Sequence, residues 1–151
     1  MKRILIILVS VFSLISCQSH IDLGNIFLGE QSDEVIQILK EEGITFSYID
    51  DSEAIGEGKA SLLGINWDKV LCKFENNKLI EIAMIKPFSQ ISDSQIENIK
   101  SHLRKYCGPG KTNYDEMIVL YGVNSENKGY IGAIKVNEVE DNFFVSIKKA
   151  K

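Results

Sequence analysis

Trp67-Asp68-Lys69-Val70-Leu71-Cys72-Lys73-Phe74-Glu75-Asn76-Asn77-Lys78-Leu79-Ile80-Glu81-Ile82-Ala83-Met84-Ile85 is two strand-like runs with a polar break between them. Trp67–Phe74 and Leu79–Ile85 have the alternation of a half-buried strand. Glu75 to Lys78 joins them, and Asn tolerates the positive φ that hairpin turns demand. Two registers compete. A two-residue Asn76-Asn77 turn sets Cys72 opposite Glu81. A three-residue loop sets Val70, Cys72 and Phe74 opposite Met84, Ile82 and Ile80, and pairs Lys73 with Glu81 on the other face. Register follows the buried face, so the second is expected.

Outward from this hairpin the chain alternates between helices and strands. Ser32 to about Glu42 reads as a helix, with Ser32 as N-cap, Asp33 and Glu34 in the first turn and Gly43 after the end. Ile44–Ile49 alternates like a strand. Asp50–Lys59 is acidic, holds Gly56 and Gly58, and reads as a loop; a weak strand is expected at Ala60–Leu63. Beyond the hairpin, Ser92 and Gln95 form a capping box and Ile91 and Ile96 a hydrophobic staple. Ile96, Ile99, Leu103, Tyr106 and Cys107 make one helical stripe, which Gly108-Pro109 stops. Strand-like runs follow at Glu116–Val123, Gly129–Val136 and Asn142–Lys148. The expected fold class is α+β: two helix-plus-antiparallel-meander units forming a curved antiparallel sheet with two helices on one face.

The first residues are of another kind. Met1-Lys2-Arg3 is a basic start, and Ile4–Leu14 an apolar run too short to span a bilayer. Leu14-Ile15-Ser16-Cys17 resembles the lipobox of bacterial lipoproteins. The resemblance implies removal of residues 1–16 and lipidation of Cys17. Residues 17–25 are then a lipidated tether, and 26–151 a single domain. Cleavage takes Lys2 and Arg3, leaving 15 Lys and Arg against 21 Asp and Glu, a balance of −6. Such a chain without a basic stretch is a poor nucleic-acid binder. Nor is it drawn to anionic lipid heads, so membrane attachment is expected through acyl chains. The expected location is the cell envelope, lipid-anchored and extracytoplasmic, at the outer membrane if the cell is Gram-negative.

A second resemblance rests on looser motifs. Gly29-x-x-Ser32-Asp33-Glu34-Val35-x-x-x-Leu39-x-x-x-Gly43, followed by the Trp67…Phe74-x-Asn-Asn-Lys-Leu79 hairpin, looks like small envelope lipoproteins of the BamE (SmpA/OmlA) and β-lactamase-inhibitor-protein type. Lys105-Tyr106-Cys107-Gly108-Pro109 is similar to a helix ending common in related small lipoproteins. One helix precedes each set of strands here, where the BamE type has a helical pair. The resemblance implies a fold; it supplies no partner-binding residues.

Candidate chemistry is sparse. Gly108-Pro109-Gly110-Lys111-Thr112 ends like a phosphate loop, but Lys105 stands where the motif needs its first glycine. Asp50, Asp51, Glu53 and Glu57 cluster near two glycines; Ile55 stands where a calcium loop needs an oxygen, so a solvated acidic loop is the better reading. His102 lies beside the second helix's apolar stripe, with no nucleophile or acid selected to join it. No cofactor or metal is expected. Cys72 and Cys107 are left for a disulfide or for two separate buried thiols, and both readings stand. Trp67, Tyr48, Tyr114, Tyr121 and Tyr130 either line an exposed sheet face or pack in the core. The expected function is a non-enzymatic, membrane-anchored protein-binding or inhibitory module, with Trp67, Asp50, Asp51 and Glu53 as the partner-binding surface and an envelope protein as partner. The alternative is a small ligand-binding protein or hydrolase with a polar pocket between helices and sheet.

Overall fold

The computed structural model describes residues 21, 23–113, 118–122 and 129–150. In chain order the elements are α1 (Ser32–Glu42), β1 (Ile44–Ile49), β2 (Glu53–Leu62), β3 (Ile65–Glu75) and β4 (Lys78–Pro87), then α2 (Asp93–Cys107), β5 (Gly110–Asn113), β6 (Ile118–Tyr121), β7 (Tyr130–Asn137) and β8 (Asn142–Lys149). All the strands join one eight-stranded sheet in the order β1-β2-β3-β4-β8-β7-β6-β5. Every neighbouring pair is antiparallel. Each helix thus leads into a four-stranded meander, and the meanders meet along their last strands, β4 and β8. The fold is α+β, dominated by its sheet.

The β3–β4 hairpin unites the two competing registers. The turn is the two-residue one: Glu75 pairs with Lys78, and Asn76 and Asn77 both have positive φ, +52° and +59°. The strand bodies nonetheless hold Val70 opposite Met84 and Cys72 opposite Ile82. A bulge makes both true. The register shifts between Lys73 and Phe74, so Phe74 faces Leu79 rather than Ile80. One extra residue in β4 restores the apolar face that a slip would have turned to water. On the other face Lys73 and Glu81 pair and bridge at 3.4 Å.

Of the acidic stretch expected as a loop, residues 50–52 form a turn and the rest, from Glu53 on, is strand. β2 runs through Gly56 and Gly58, which answer to close packing rather than to a turn. A Cβ on Gly56 would lie 2.3 Å from Ile44 Cγ2, and Phe46 crowds the same spot. Gly58 sits at φ +140°, where a Cβ would meet the Gly43 carbonyl oxygen at 2.2 Å. The β2 register shifts beside it, as glycine in a strand so often signals.

The buried set runs across the sheet on one face: Ala54 on β2, Val70 and Cys72 on β3, Ile82 and Met84 on β4, Val145 and Ile147 on β8, Ile134 on β7. α2 lies on that face. Its Leu103 and Cys107 press so close to Gly132 of β7 that a Cβ there would be 2.8 Å from Leu103 Cδ2 and 3.2 Å from Cys107 Sγ. The capping box on α2 forms as expected, with Ser92 Oγ accepting from Gln95 N–H and Gln95 Oε1 accepting from Ser92 N–H. On α1, Ser32 is the first helical residue; Gln31 takes the N-cap position and supplies no side-chain cap.

The expected tether is partly core. Ile21, Leu23 and Ile26 are fully buried, and Leu28 nearly so. Leu63 N–H donates to the Leu23 carbonyl at 2.8 Å, and Gly29 N–H to that of Leu79 at 2.7 Å. The segment is apolar at every second or third position, and burying it against the sheet outweighs leaving it in water. The domain therefore begins by Ile21. No helix among the described residues is long and apolar enough to cross a membrane. Cys17 lies outside the described residues.

Candidate functional site

Cross-strand pairing defines the sheet's second face residue by residue. One row spans all eight strands as Tyr48, Ile55, Leu71, Ala83, Ser146, Ala133, Leu120 and Lys111. Next to it runs Thr45, Glu57, Lys69, Ile85, Phe144, Lys135 and Ile118. Except for Ala83, buried at 6 %, these side chains are half-exposed or exposed. Strand alternation places them opposite the core set. The face is thus apolar along its middle, with lysines and glutamates set into it.

On this face lies a depression of about 560 Å3 lined by Lys69, Ile85, Lys135, Asn137, Glu140, Asn142 and Phe144. Ile85 and Phe144 are cross-strand partners, as are Phe144 and Lys135. Lys69 bridges Glu57 at 3.2 Å. Asn137 and Glu140 close the β7–β8 turn: Asn137 Nδ2 donates to Glu140 Oε2, and Glu140 N–H to Asn137 Oδ1. The depression lies on the sheet's second face, not between helices and sheet, where the alternative reading required a polar pocket. Among the described residues no polar or charged side chain is buried. Nor do three His, Cys, Asp or Glu groups gather as a metal site among them.

The residues expected to bind a partner divide. Trp67 is withdrawn: it is fully buried, stacks on Phe143 with centroids 6.0 Å apart, and donates its indole N–H to the Leu62 carbonyl at 2.8 Å. A partner cannot reach it. Strict alternation from Val70 would put Trp67 on the open face, but the β2–β3 register shifts between Glu57 and Ala60, and Trp67 and Val70 are both fully buried although three residues apart. Asp50 and Asp51 are exposed and Glu53 is half-exposed. Asp50 serves its own turn: its carboxylate accepts from the Tyr48 hydroxyl, the Ser52 N–H and hydroxyl, and the Glu53 N–H. Those donors, the Tyr48 hydroxyl first, hold its pKa far below the usual carboxylate range. The same bond raises the pKa of Tyr48. Tyr48 itself is 45 % exposed at the edge of the open face, so one aromatic of the expected set does reach it. Tyr121 is in the core, and Tyr114 lies outside the described residues.

Cys72 and Cys107 are both buried free thiols, so the disulfide does not form. Cys72 shares a sheet row with Ile82, Ile147 and Gly132, and Cys107 packs over Gly132. Three strand spacings therefore separate them, roughly 14 Å, well beyond disulfide reach. Burial pushes the Cys72 thiol up to about 12, leaving it inert at neutral pH. His102 packs against the Tyr106 ring at 4.8 Å on α2, on the core side of the sheet and away from the depression.

Sequence reading allowed an exposed sheet face but filled it with aromatics, because the signal of the face itself is not a motif. It is the alternate set of positions in strands whose other set is buried, and it emerges only once β2 and β5 are known to be strands. No protein-family model, curated protein or solved structure matches this chain.

Proposed function

We propose that the protein is a lipid-anchored module of the bacterial cell envelope that binds, and thereby modulates or inhibits, a protein partner through the open face of its sheet. In this reading both helices cover the buried face of a curved sheet. The opposite face is left for the partner. The observation that carries the reading is the pair of adjacent rows, one across all eight strands and one across seven, in which apolar side chains stand half-exposed side by side. Exposed contiguous apolar surface of this kind marks interaction sites. Anchoring through Cys17 is supported by the lipobox resemblance, and the BamE-like resemblance of the caps and hairpin agrees with an envelope setting.

A photo-crosslinking residue at Ala133, on the open face, should capture an envelope protein; the same residue at exposed Gln37 on α1 should not. Leu71→Arg should abolish the capture and leave melting unchanged. Equal capture from both positions would refute the assigned face. Turnover of a glycan or peptide substrate, lost on replacing one carboxylate without unfolding, would favour the hydrolase instead. For the anchor, Cys17→Ala should leave an uncleaved precursor without acyl label, and persisting label would refute it.

A further inference from the structure

The four strands β5–β8 hold Lys111, Lys135, Lys148 and Lys149 and not one Asp or Glu, in a chain with 21 acidic residues against 17 basic. Register puts the first three on the open face, paired across strands with Leu120, Phe144 and Glu81. In the first meander the open-face lysines are answered from within: Lys69 by Glu57 at 3.2 Å and Lys73 by Glu81 at 3.4 Å. In the second meander the strands offer no acid to Lys135, which stands exposed beside the floor of the depression.

From this we infer that the open face of β5–β8, together with the adjoining β4, takes an acidic segment of a partner protein, seating an apolar side chain on Ile85 and Phe144 with carboxylates at Lys135 and Lys148. The inference rests on the open face being the binding surface. The floor is apolar, and the rim carries Lys69, Lys135, two asparagines and Glu140. Lys69 is held by Glu57 and Glu140 by Asn137, so Lys135 is the rim cation that suits an acid beside a seated apolar group. Lysine stems extend the apolar floor while their ammonium groups stay wet. A uniformly anionic surface fits less well. Glu81 on β4 borders the basic half on one side, with Glu53 and Glu57 further off on β2, and Glu138, Glu140 and Asp141 on the β7–β8 turn border another. These repel a membrane or a nucleic-acid backbone but leave room for a short acid–apolar–acid segment.

The test uses the detergent-solubilised mature protein and a fluorescein-labelled peptide with the sequence Asp-Glu-Phe-Asp-Glu between Gly-Ser arms. One twin carries Lys for every acid, another Ser for Phe, and anionic phosphatidylglycerol vesicles serve as competitor. Fluorescence anisotropy should show the acidic peptide binding at least about tenfold tighter than either twin, and more weakly as salt rises. Lys135→Glu and Phe144→Ser should each weaken it about tenfold, while Lys40→Glu on α1 changes nothing. Lys135 is exposed, so its variant reports even if Phe144→Ser fails to fold. Displacement of the peptide by the vesicles would overturn the inference in favour of a lipid surface. A Lys twin that binds equally well and is lost on Phe144→Ser would overturn the acidic preference yet keep the open face as binding surface. No binding by any probe, together with no crosslink from Ala133, would overturn both.

Discussion

Gly58 can hold its place only without a side chain. Its φ of +140° and the Gly43 oxygen beside it leave no space for a Cβ. Gly58→Ala should therefore lower stability by about 2–3 kcal/mol, read as a fall in the urea midpoint at unchanged slope. Asp50 and Asp141 act at the same scale. Asp141 accepts from the Ser89 hydroxyl at 2.7 Å and from its N–H at 2.7 Å, and the hydroxyl chiefly draws its pKa down. Both carboxylates are depressed in the fold, so the stability they contribute is complete above the ordinary Asp value, about 4, and is lost as pH falls through the folded values. Asp50→Asn and Asp141→Asn should each flatten the acid limb of a plot of urea midpoint against pH, below about pH 4. An unchanged limb in both would show that these turns do not govern acid sensitivity.

α2 is the element whose face was most legible. Its capping box, its stripe and its stop at Gly108 all follow from local spacing, and Ile99, Leu103 and Cys107 are buried as that spacing implies. Leu103→Ala should cost about 2–5 kcal/mol, whereas His102→Ala, half-exposed and beside the stripe, should cost under about 1 kcal/mol. Comparable melting temperatures would contradict the docking. Strands were legible where alternation is unbroken, as in β7 and β8, and in β3 and β4 despite their register shifts. β2 was hidden by its two glycines, which in sequence look like a loop and in space relieve crowding by Ile44, Phe46 and Gly43. β5 was hidden too. Gly110-Lys111-Thr112-Asn113 has no apolar residue, and Gly110 is there because the Tyr121 ring lies where its Cβ would be, 2.6 Å from Cε1. The open face could not be read before those two strands were placed. The turn and register of β3–β4 were each half-right in isolation, because a bulge is one residue that no period announces.

At the scale of the molecule the seam between β4 and β8 decides whether there is one folding unit or two. Met84 faces Val145 and Ile82 faces Ile147 across it, all fully buried, so the core continues from one meander into the other. Val145→Asn buries an amide with no partner there and leaves a gap, a loss of about 2–4 kcal/mol. It should shift one cooperative transition for the whole chain, seen alike by tryptophan fluorescence and far-ultraviolet circular dichroism. Two separated transitions would show that the meanders fold independently.

Burial of Ile21 would set the operating range of the protein if Cys17 carries the proposed lipid. With the lipid on Cys17, only Gln18, Ser19 and His20 lie between the bilayer anchor and the core. Even fully extended, that stretch spans about 14 Å. The ten residues of β4 add roughly 33 Å of sheet. The module would therefore ride against its membrane on a leash shorter than its own length. Its catch would be confined to whatever comes within about 50 Å of that surface, and a target held on the far side of a wider compartment would stay out of range.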